Sequence, residues 1–201
     1  MTTFTGDADD LLVQASQRGE LISFNVLVER YQRQVYNVAL RLLGNPTEAE
    51  DVTQETFLLA YQHIQSFRGG IFRSWLLRIA TNACHDVSRR SMRRPATSLD
   101  AYLEGEEAPR DIPGHDVGPE EMALRREQRQ TLAQLLLKLP EEQRTVLVLS
   151  DVQGLNYEEI TQATGEALGT VKSRLSRARA RMRDLLLEHG ELFPQVQRLT
   201  R

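Results

Sequence analysis

Apolar residues recur at intervals of three and four over most of the chain, which is the spacing that lines one face of an α-helix. No segment shows the strict alternation of apolar and polar residues that is typical of a half-buried strand. In chain order, the predicted helices cover residues 8–18, 24–43, 47–64, 72–87, 120–139, 140–152, 157–163 and 167–185. The pattern therefore predicts an all-α fold.

A segment without helical periodicity divides these helices into two groups. Residues 95–119 contain proline, glycine and many acids but no sustained apolar stripe, so we expect an extended, flexible and acidic linker. The predicted domains are residues 1–94 and residues 120–201. A chain of 201 residues is long enough to give two small helical domains a core each.

Several helix ends carry their own sequence signals. Gly44 and Gly165 each follow an apolar stripe, and glycine adopts the left-handed conformation that ends a helix without steric cost. Asp7 is the expected N-cap of the first helix. Thr47 and Glu50 have the spacing of a capping box, so they are expected to open the third.

The pattern in residues 157–183 predicts two helices joined by a tight turn near Gly165. Thr170 is a candidate N-cap of the second helix, although a start near Ala167 also fits. The apolar stripe of this helix comprises Val171, Leu175, Ala178, Met182 and Leu185. Its other face carries cations with no acid among them, namely Lys172, Arg174, Arg177, Arg179, Arg181 and Arg183.

Two interpretations of this basic helix compete. A solvated basic face is the simpler one, but such faces usually interleave Glu with Lys or Arg at i,i+4 spacing. Cations without acids repel one another unless a polyanion lies alongside. Small residues also leave the N-terminal end slim enough to enter a DNA major groove; they are Gly169, Thr170, Ser173 and Ser176. The pattern therefore favours a helix-turn-helix.

The distribution of charge along the chain is more informative than the net charge. A net charge of −3 and a pI near 5.9 argue against binding nucleic acid over the whole surface. Residues 68–94, however, carry seven Arg and one acid, whereas residues 100–121 carry eight acids and one Arg. This segregation suggests two DNA-facing surfaces separated by an acidic spacer.

One edge of the fourth predicted helix has the chemistry of single-stranded nucleic-acid binding. At 100° per residue, Trp75, Arg78, Asn82 and Arg89 lie along the same side of its apolar stripe. Rings and guanidinium planes stack on bases while cations follow phosphates. The alternative, in which Trp75 belongs to the core and the arginines face solvent, fits these residues equally well.

Other classes of function find no support in the sequence. No stretch resembles a signal peptide or a membrane span, so we expect a cytoplasmic chain without membrane contact. The single Cys84 permits no internal disulfide, and the four His residues lack metal-ligand spacing. No paired carboxylates or nucleophile with a base are evident, so neither an enzyme nor a cofactor or metal site is expected.

Taken in order, four motifs resemble bacterial sigma factors of the sigma-70 family, specifically the extracytoplasmic-function (ECF) type. EAEDVTQETFLLAY (residues 48–61) is similar to the region 2 helix that grips core RNA polymerase. SFRGGIFRSWLLRIATN (66–82) resembles the promoter-melting segment. LPEEQRTVLVL (139–149) resembles the start of region 4, and NYEEI with GTVKSRLSRAR (156–179) resembles its helix-turn-helix.

The resemblance implies roles for particular residues. The core polymerase would bind a face of the third helix made by Asp51, Gln54, Glu55, Leu58 and Tyr61. Without the resemblance, a face that mixes acids, an amide and an aromatic is usually a solvated surface, and periodicity alone does not identify it as a partner site. The minus-ten element would meet Arg68, Trp75, Arg78, Asn82, Arg89 and Arg90, with Asn82 near a pocket for a flipped base. The minus-thirty-five element would meet Thr170, Lys172, Ser173, Arg174, Ser176, Arg177 and Arg181.

The function implied is delivery of core RNA polymerase to promoters, which the chain would help to melt while the polymerase does the chemistry. Partners would be the polymerase, promoter DNA as duplex and as melted strand, and an anti-sigma factor of the kind that commonly sequesters members of this family. The alternative is a free-standing transcriptional regulator that binds a duplex operator through the same helix-turn-helix. Such a regulator would need a dimer surface or a sensor domain.

Overall fold

The computed structural model describes residues 5–91 and 118–198, and every regular element among them is helical. The helices are α1 (Thr5–Gln17), α2 (Leu21–Leu43), α3 (Pro46–His63), α4 (Phe72–Ser91), α5 (Pro119–Leu137), α6 (Glu141–Leu147), α7 (Tyr157–Thr164), α8 (Leu168–Glu188) and α9 (Pro194–Arg198). A 3-10 turn, Ile64–Ser66, follows α3, and a π-helical turn, Val148–Val152, extends α6. The all-α prediction is confirmed. The predicted linker lies outside the described residues, except for its last two positions.

The first domain packs α1, α3 and α4 around the long helix α2. Its apolar core is formed by Phe24, Leu27, Tyr31, Val35, Phe57, Ala60, Phe72, Leu76 and Ala80, all buried. Asp9 of α1 is buried beside α2, where its carboxylate accepts hydrogen bonds from Arg30 and from the Tyr31 hydroxyl. Burial and the hydrogen bond to Asp9 both raise the pKa of Tyr31. These contacts fix the angle at which α1 crosses α2.

Two predicted helix starts in this domain are wrong. The first helix begins at Thr5, so Asp7 lies inside it rather than at its N-cap. In the third helix, the N-cap is Asn45, whose side-chain oxygen accepts a hydrogen bond from the Glu48 amide at 3.2 Å. Pro46 takes the first helical position, where its missing N–H costs nothing, so the helix starts before Thr47.

The second domain packs α6 and α7 against α8. Asn156 and Glu159 form a capping box at the start of α7, and Gly165 ends that helix at φ 74° as predicted. The helix α8 begins at Leu168 with Ala167 as the N-cap residue, so the predicted start near Ala167 is confirmed. Thr170, the other candidate, lies in the first turn of the helix and does not cap it. The predicted apolar stripe is confirmed: Val171, Leu175, Ala178 and Met182 are buried, and Leu185 is half-buried.

The two domains also pack against each other. Helix α7 lies on α4, and α5 contacts the end of α2 near Gly44, where Leu137 occupies the space that a Cβ would fill. A continuous apolar cluster joins both domains, and its members include Leu42, Leu77 and Cys84 on one side and Leu135, Val146 and Ile160 on the other. The sequence pattern predicts the two domains but not this contact between them.

Candidate nucleic-acid interface

The polar face of α8 is the first candidate surface. Its buried stripe packs on α6 and α7, which leaves Lys172, Ser173, Ser176, Arg177 and Arg181 exposed on the opposite side. Thr170 and Arg174 are half-buried at the edge of this face. The N-terminal half of α8 therefore presents small and cationic side chains to solvent, as a recognition helix in a major groove does.

Arg174 differs from the other predicted DNA contacts because it is held by two carboxylates. Its guanidinium lies 2.7 Å from the Glu142 carboxylate of α6 and forms a second ion pair with Glu166 in the turn before α8. The side chain is only 21% exposed. These ion pairs hold the guanidinium inside the domain, so Arg174 braces α8 against α6 in this conformation.

Arg179 is tied down in a similar way. Its guanidinium donates to both carboxylate oxygens of Asp151, at 2.6 and 3.0 Å, and to the Ser150 hydroxyl at 3.3 Å. The hydrogen bonds from Arg179 lower the pKa of Asp151. Both side chains are partly exposed, so this pair adds at most about 1 kcal/mol to stability. Its structural effect is to hold the π-helical turn against the middle of α8.

The remaining cations of α8 face solvent. The ammonium group of Lys172 lies 5.5 Å from the centre of the Tyr157 ring, within the range of a cation–π contact. Arg177 bends back one turn and donates to the Ser173 carbonyl and hydroxyl at 3.2 and 3.1 Å. Arg181 and Arg183 are exposed further along the helix. The self-repulsion expected from the sequence is thus relieved in part by acids from other elements.

We expect the ion pairs of Arg174 to restrain DNA binding. In the double variant Glu142→Gln, Glu166→Gln the guanidinium is released, so affinity for random duplex DNA should rise, and the plot of log affinity against log salt should steepen by about one unit. A salt titration monitored by fluorescence anisotropy measures both quantities. The control Glu127→Gln, Glu188→Gln changes the net charge equally at exposed positions away from Arg174. A rise of the same size in the control would refute the restraint.

The edge of α4 is the second candidate surface. Arg78, Asn82, Arg89 and Arg90 are exposed, and so is Arg68 in the loop before the helix. Trp75 is half-buried, with its ring centre 5.4 Å from that of Phe67 and 5.6 Å from that of Phe72. The ring is therefore anchored in an aromatic cluster and shows only part of its surface to a ligand.

A cleft runs along this edge and is shared between the domains. Phe67, Arg68, Trp75 and Arg78 line one wall, and Gln162 of α7 lines the other. Further along α4, a smaller cleft lies between Thr81, Asn82 and His85 on one side and Glu142, Thr145, Thr164 and Glu166 on the other. The structure thus places Arg68, Trp75, Arg78 and Asn82 along clefts whose other wall belongs to the second domain. Arg89 and Arg90 are exposed further along α4 and line neither cleft.

The exposed face of α3 is the third candidate surface. Asp51, Gln54 and Glu55 are exposed, as are Leu58, at 59%, and Tyr61, at 40%. The Tyr61 ring packs edge-on against Phe24 of α2, with ring centres 5.0 Å apart. These five residues thus combine exposed apolar area with acids and an amide, and they include no cation to meet a phosphate.

The part of the chain that the structure describes shows neither a metal site nor a membrane-spanning helix nor a reactive thiol. No group of three His, Cys, Asp or Glu side chains there could hold a metal ion. None of the helices described is long and apolar enough to cross a membrane. Cys84 is buried, and burial together with the nearby Glu141 carboxylate raises the pKa of its thiol to about 12. A thiol in that state is a packing group rather than a nucleophile.

Several residues that shape these surfaces were missed in the sequence. Glu142 and Glu166 form ion pairs with Arg174. Asp151 and Ser150 accept hydrogen bonds from Arg179. Gln153 accepts a hydrogen bond from the first domain through its carbonyl. Glu142 and Arg174 are 32 positions apart, so no helical or capping pattern relates them. Only the capping box of Asn156 and Glu159 had a local signal that could have been recognised.

Comparison with known proteins accounts for both domains. The family model for Sigma-70 region 2 matches residues 27–94, and that for Sigma-70 region 4 matches residues 129–182. The RNA polymerase sigma-H factor of Pseudomonas aeruginosa is 39% identical over 181 residues, which cover 87% of this chain and 92% of the relative. The ECF RNA polymerase sigma factor SigE of Mycolicibacterium smegmatis is also 39% identical, over 168 residues that cover 84% of this chain and 63% of the relative.

Solved structures agree with this result. CnrH, solved in complex with the cytosolic domain of CnrY, superposes with a TM-score of 0.66 at 30% identity and covers 90% of this chain and 97% of its own. The sigma factor RpoE of Bartonella quintana, solved with the anti-sigma factor NepR, superposes with a TM-score of 0.60 at 26% identity. The match covers 81% of this chain and 96% of RpoE.

Proposed function

The chain belongs to the sigma-70 family of RNA polymerase sigma factors, and we propose that it directs core RNA polymerase to promoters through three separate surfaces. Its relatives include ECF sigma factors at 36 to 39% identity. Such factors are transcription initiation factors, in which the polymerase carries out the chemistry. The proposal rests on one observation: the matches to regions 2 and 4 occur in the same chain, with region 2 before region 4.

The first surface is the exposed face of α3, which we assign to the polymerase. Leu58 and Tyr61 supply apolar area, and Asp51, Gln54 and Glu55 supply polar and acidic groups around it. Interfaces of this kind bind through a few apolar anchors, while the surrounding charges select the partner. The resemblance of residues 48–61 to the region 2 helix that grips core RNA polymerase supports the same assignment.

The second surface is the edge of α4, which we assign to the melted minus-ten strand. Asn82 offers an amide to a base edge, the exposed part of Trp75 offers a stacking surface, and Arg78, Arg89 and Arg90 lie where phosphates would run. Stacking one base is worth about 1–3 kcal/mol, which offsets the few kcal/mol lost when that base leaves the duplex. Strand capture can therefore favour melting without any covalent step.

The third surface is the exposed face of α8, which we assign to the minus-thirty-five duplex. Lys172, Ser173, Ser176 and Arg177 lie at the end of the helix that enters the groove in a helix-turn-helix, and Arg181 lies farther along, where it would meet the phosphate backbone. Arg174 and Thr170 border this face, and Arg174 could reach a base only after it leaves Glu142 and Glu166.

A further partner follows from the solved relatives. CnrH is bound to the cytosolic domain of CnrY, and the Bartonella quintana factor to an anti-sigma factor. We infer that this chain also has an anti-sigma partner and that it acts in the bacterial cytoplasm, where the polymerase is found.

A band-shift titration of the full chain on its mapped promoter, with and without core polymerase, tests the proposal. We expect weak binding by the chain alone, because a single recognition module has too little interface for tight specific binding. Core polymerase should produce sequence-specific binding and transcription, since it places both domains on one promoter and raises their effective concentration. Tight, specific binding by the free chain that polymerase leaves unchanged would instead identify a free-standing regulator.

A further inference from the structure

We propose that Lys172 is an acylation site, at which an acyl phosphate weakens recognition of the minus-thirty-five duplex and leaves the polymerase face and the minus-ten edge unmodified. This inference rests on the proposed function, because it takes the exposed face of α8 as the duplex surface. It adds a means of regulation, in which a covalent change to one side chain lowers promoter affinity without a partner protein.

The first argument is where the chain places its side-chain amines. Of its 25 lysine and arginine residues, only Lys138 and Lys172 are lysines. A lysine amine can lose a proton and be acylated, whereas an arginine guanidinium stays protonated in proteins. The cations proposed for the minus-ten edge are all arginines, and the proposed polymerase face contains no cation. Among the three surfaces, acylation of a side-chain amine can therefore alter only α8.

The second argument is the accessibility of Lys172. Its side chain is exposed, and the ammonium group lies 5.5 Å from the centre of the Tyr157 ring at the start of α7. A cation–π contact at an exposed site is weak, so it orients the amine without burying it. In the described part of the chain, no carboxylate forms an ion pair with this ammonium, unlike the guanidinium groups of Arg174 and Arg179. The amine is therefore open to a small reagent.

The third argument is electrostatic. An acyl phosphate is an anion, so cations that would attract the phosphates of DNA also raise its local concentration. Arg177, Arg181 and Arg183 are exposed along the same helix as Lys172. Lys138 is instead followed by Glu141 and Glu142 at the start of α6. An anionic donor should therefore modify Lys172 faster than Lys138.

The reaction is an acyl transfer without oxidation or reduction. After Lys172 loses a proton to solvent, its Nζ atom attacks the carbonyl carbon of the acyl phosphate. The C–N bond forms as the C–O bond to phosphate breaks, and the second proton goes to the departing inorganic phosphate. The amide product is neutral, so it loses both the attraction to a DNA phosphate and the attraction to the Tyr157 ring.

Treatment of the full chain with acetyl phosphate, followed by peptide mapping in a mass spectrometer, tests the site. We expect Lys172 to be acetylated at least about twofold faster than Lys138, because nearby cations concentrate the anionic donor. The uncharged donor N-hydroxysuccinimide acetate serves as the control and should show a smaller preference. If acetyl phosphate leaves Lys172 unmodified, or modifies Lys138 at least as fast, the proposal is overturned.

Binding of fluorescent random duplexes, measured by anisotropy, tests the effect. We expect the acetylated chain to bind roughly five- to tenfold more weakly than the untreated chain at about 0.1 M salt, because one phosphate contact is lost. The plot of log affinity against log salt should also become shallower by about one unit. The variant Lys172→Gln, which imitates the neutral product, should bind as weakly as the acetylated chain.

Two variants that preserve charge locate the effect, and each is compared with itself before treatment. Lys138→Arg keeps the amine of α8, so acetyl phosphate should weaken its duplex binding as it does for the parent. Lys172→Arg has no amine there, so its own affinity should change less than about twofold. The N-terminal amine is present in every variant and cancels in this comparison. An equal loss of affinity in Lys172→Arg and in the parent overturns the proposal.

Transcription with core polymerase on the mapped promoter separates failure of this proposal from failure of the proposed function. The treated chain is desalted before polymerase is added, so that the polymerase is not acetylated. The treated chain should still be pulled down by core polymerase but should yield less transcript than the untreated chain. If the untreated chain does not support transcription, the sigma assignment itself fails. If a chain acetylated at Lys172 transcribes as well as the untreated one, only the role of Lys172 is refuted.

Discussion

The double variant Asp51→Arg, Gln54→Ala is expected to abolish binding of core RNA polymerase. Both side chains are exposed on α3, so the change reverses a charge and removes an amide on the proposed docking face. Breaking a charged contact in a protein interface costs about 2–5 kcal/mol, which is roughly a 30- to 4,000-fold loss of affinity. A pull-down with purified core polymerase measures the effect.

The fold of this variant should be unchanged. The residues that anchor α3 in the core are Val52, Thr56 and Phe57, and none of them is altered. Circular dichroism should therefore show the parent's helicity and melting temperature. The control Glu29→Arg, Gln32→Ala makes the same two changes on the exposed side of α2 and should retain binding. Normal binding by the α3 variant would mean that the polymerase contacts another face.

Much of the fold follows from local rules, and α8 shows why. Its buried residues fall at three- and four-residue spacing, so Val171, Leu175, Ala178 and Met182 could be identified without knowing what they pack against. Gly44 and Gly165 end their helices at φ 72° and 74°, because few other residues adopt that conformation cheaply.

The wrong helix starts also have local causes. Thr47 and Glu50 have capping-box spacing, but Pro46 fits the first helical position and leaves the cap to Asn45. For α8 two starts were predicted, and the one near Ala167 is correct: Thr170 has the right chemistry for a cap, yet the helix begins at Leu168 without any side-chain cap. Competing start signals within two or three residues cannot be ranked from spacing alone, because packing of the first turn decides among them.

The arrangement of the candidate surfaces depends on contacts between distant parts of the chain. Nothing near Arg174 in the sequence marks it as paired, since its partner Glu142 comes from another helix. The same holds for Gln153, which meets Gln34 across 119 positions. Helical periodicity identifies which side of α7 is apolar, but it does not say which helices pack on that side. In the structure α7 packs on α8 of its own domain and on α4 of the first domain. The contact between the two domains is therefore a property of the tertiary structure.

The second large effect is expected when the residues of α4 that would capture the melted strand are removed. The double variant Arg78→Ala, Asn82→Ala should reduce open-complex formation by roughly 100-fold or more, because a hydrogen bond to a charged phosphate is worth about 1.5–3 kcal/mol and a side-chain contact to a base edge about 1–3 kcal/mol. Permanganate footprinting of thymines in the minus-ten element reports the melted strand. The control Arg33→Ala, Asn25→Ala removes the same two residue types from exposed positions on α2 and should melt the promoter normally.

The stage at which this variant fails distinguishes strand capture from a general loss of DNA affinity. The α3 face and the start of α8 are untouched, so polymerase binding and the closed complex on duplex DNA should persist. Removing Arg78 also removes a side chain that lies against Gly165, which loosens the domain contact. A variant that melts the promoter as fast as its control would therefore show that the edge of α4 acts only as a contact between domains.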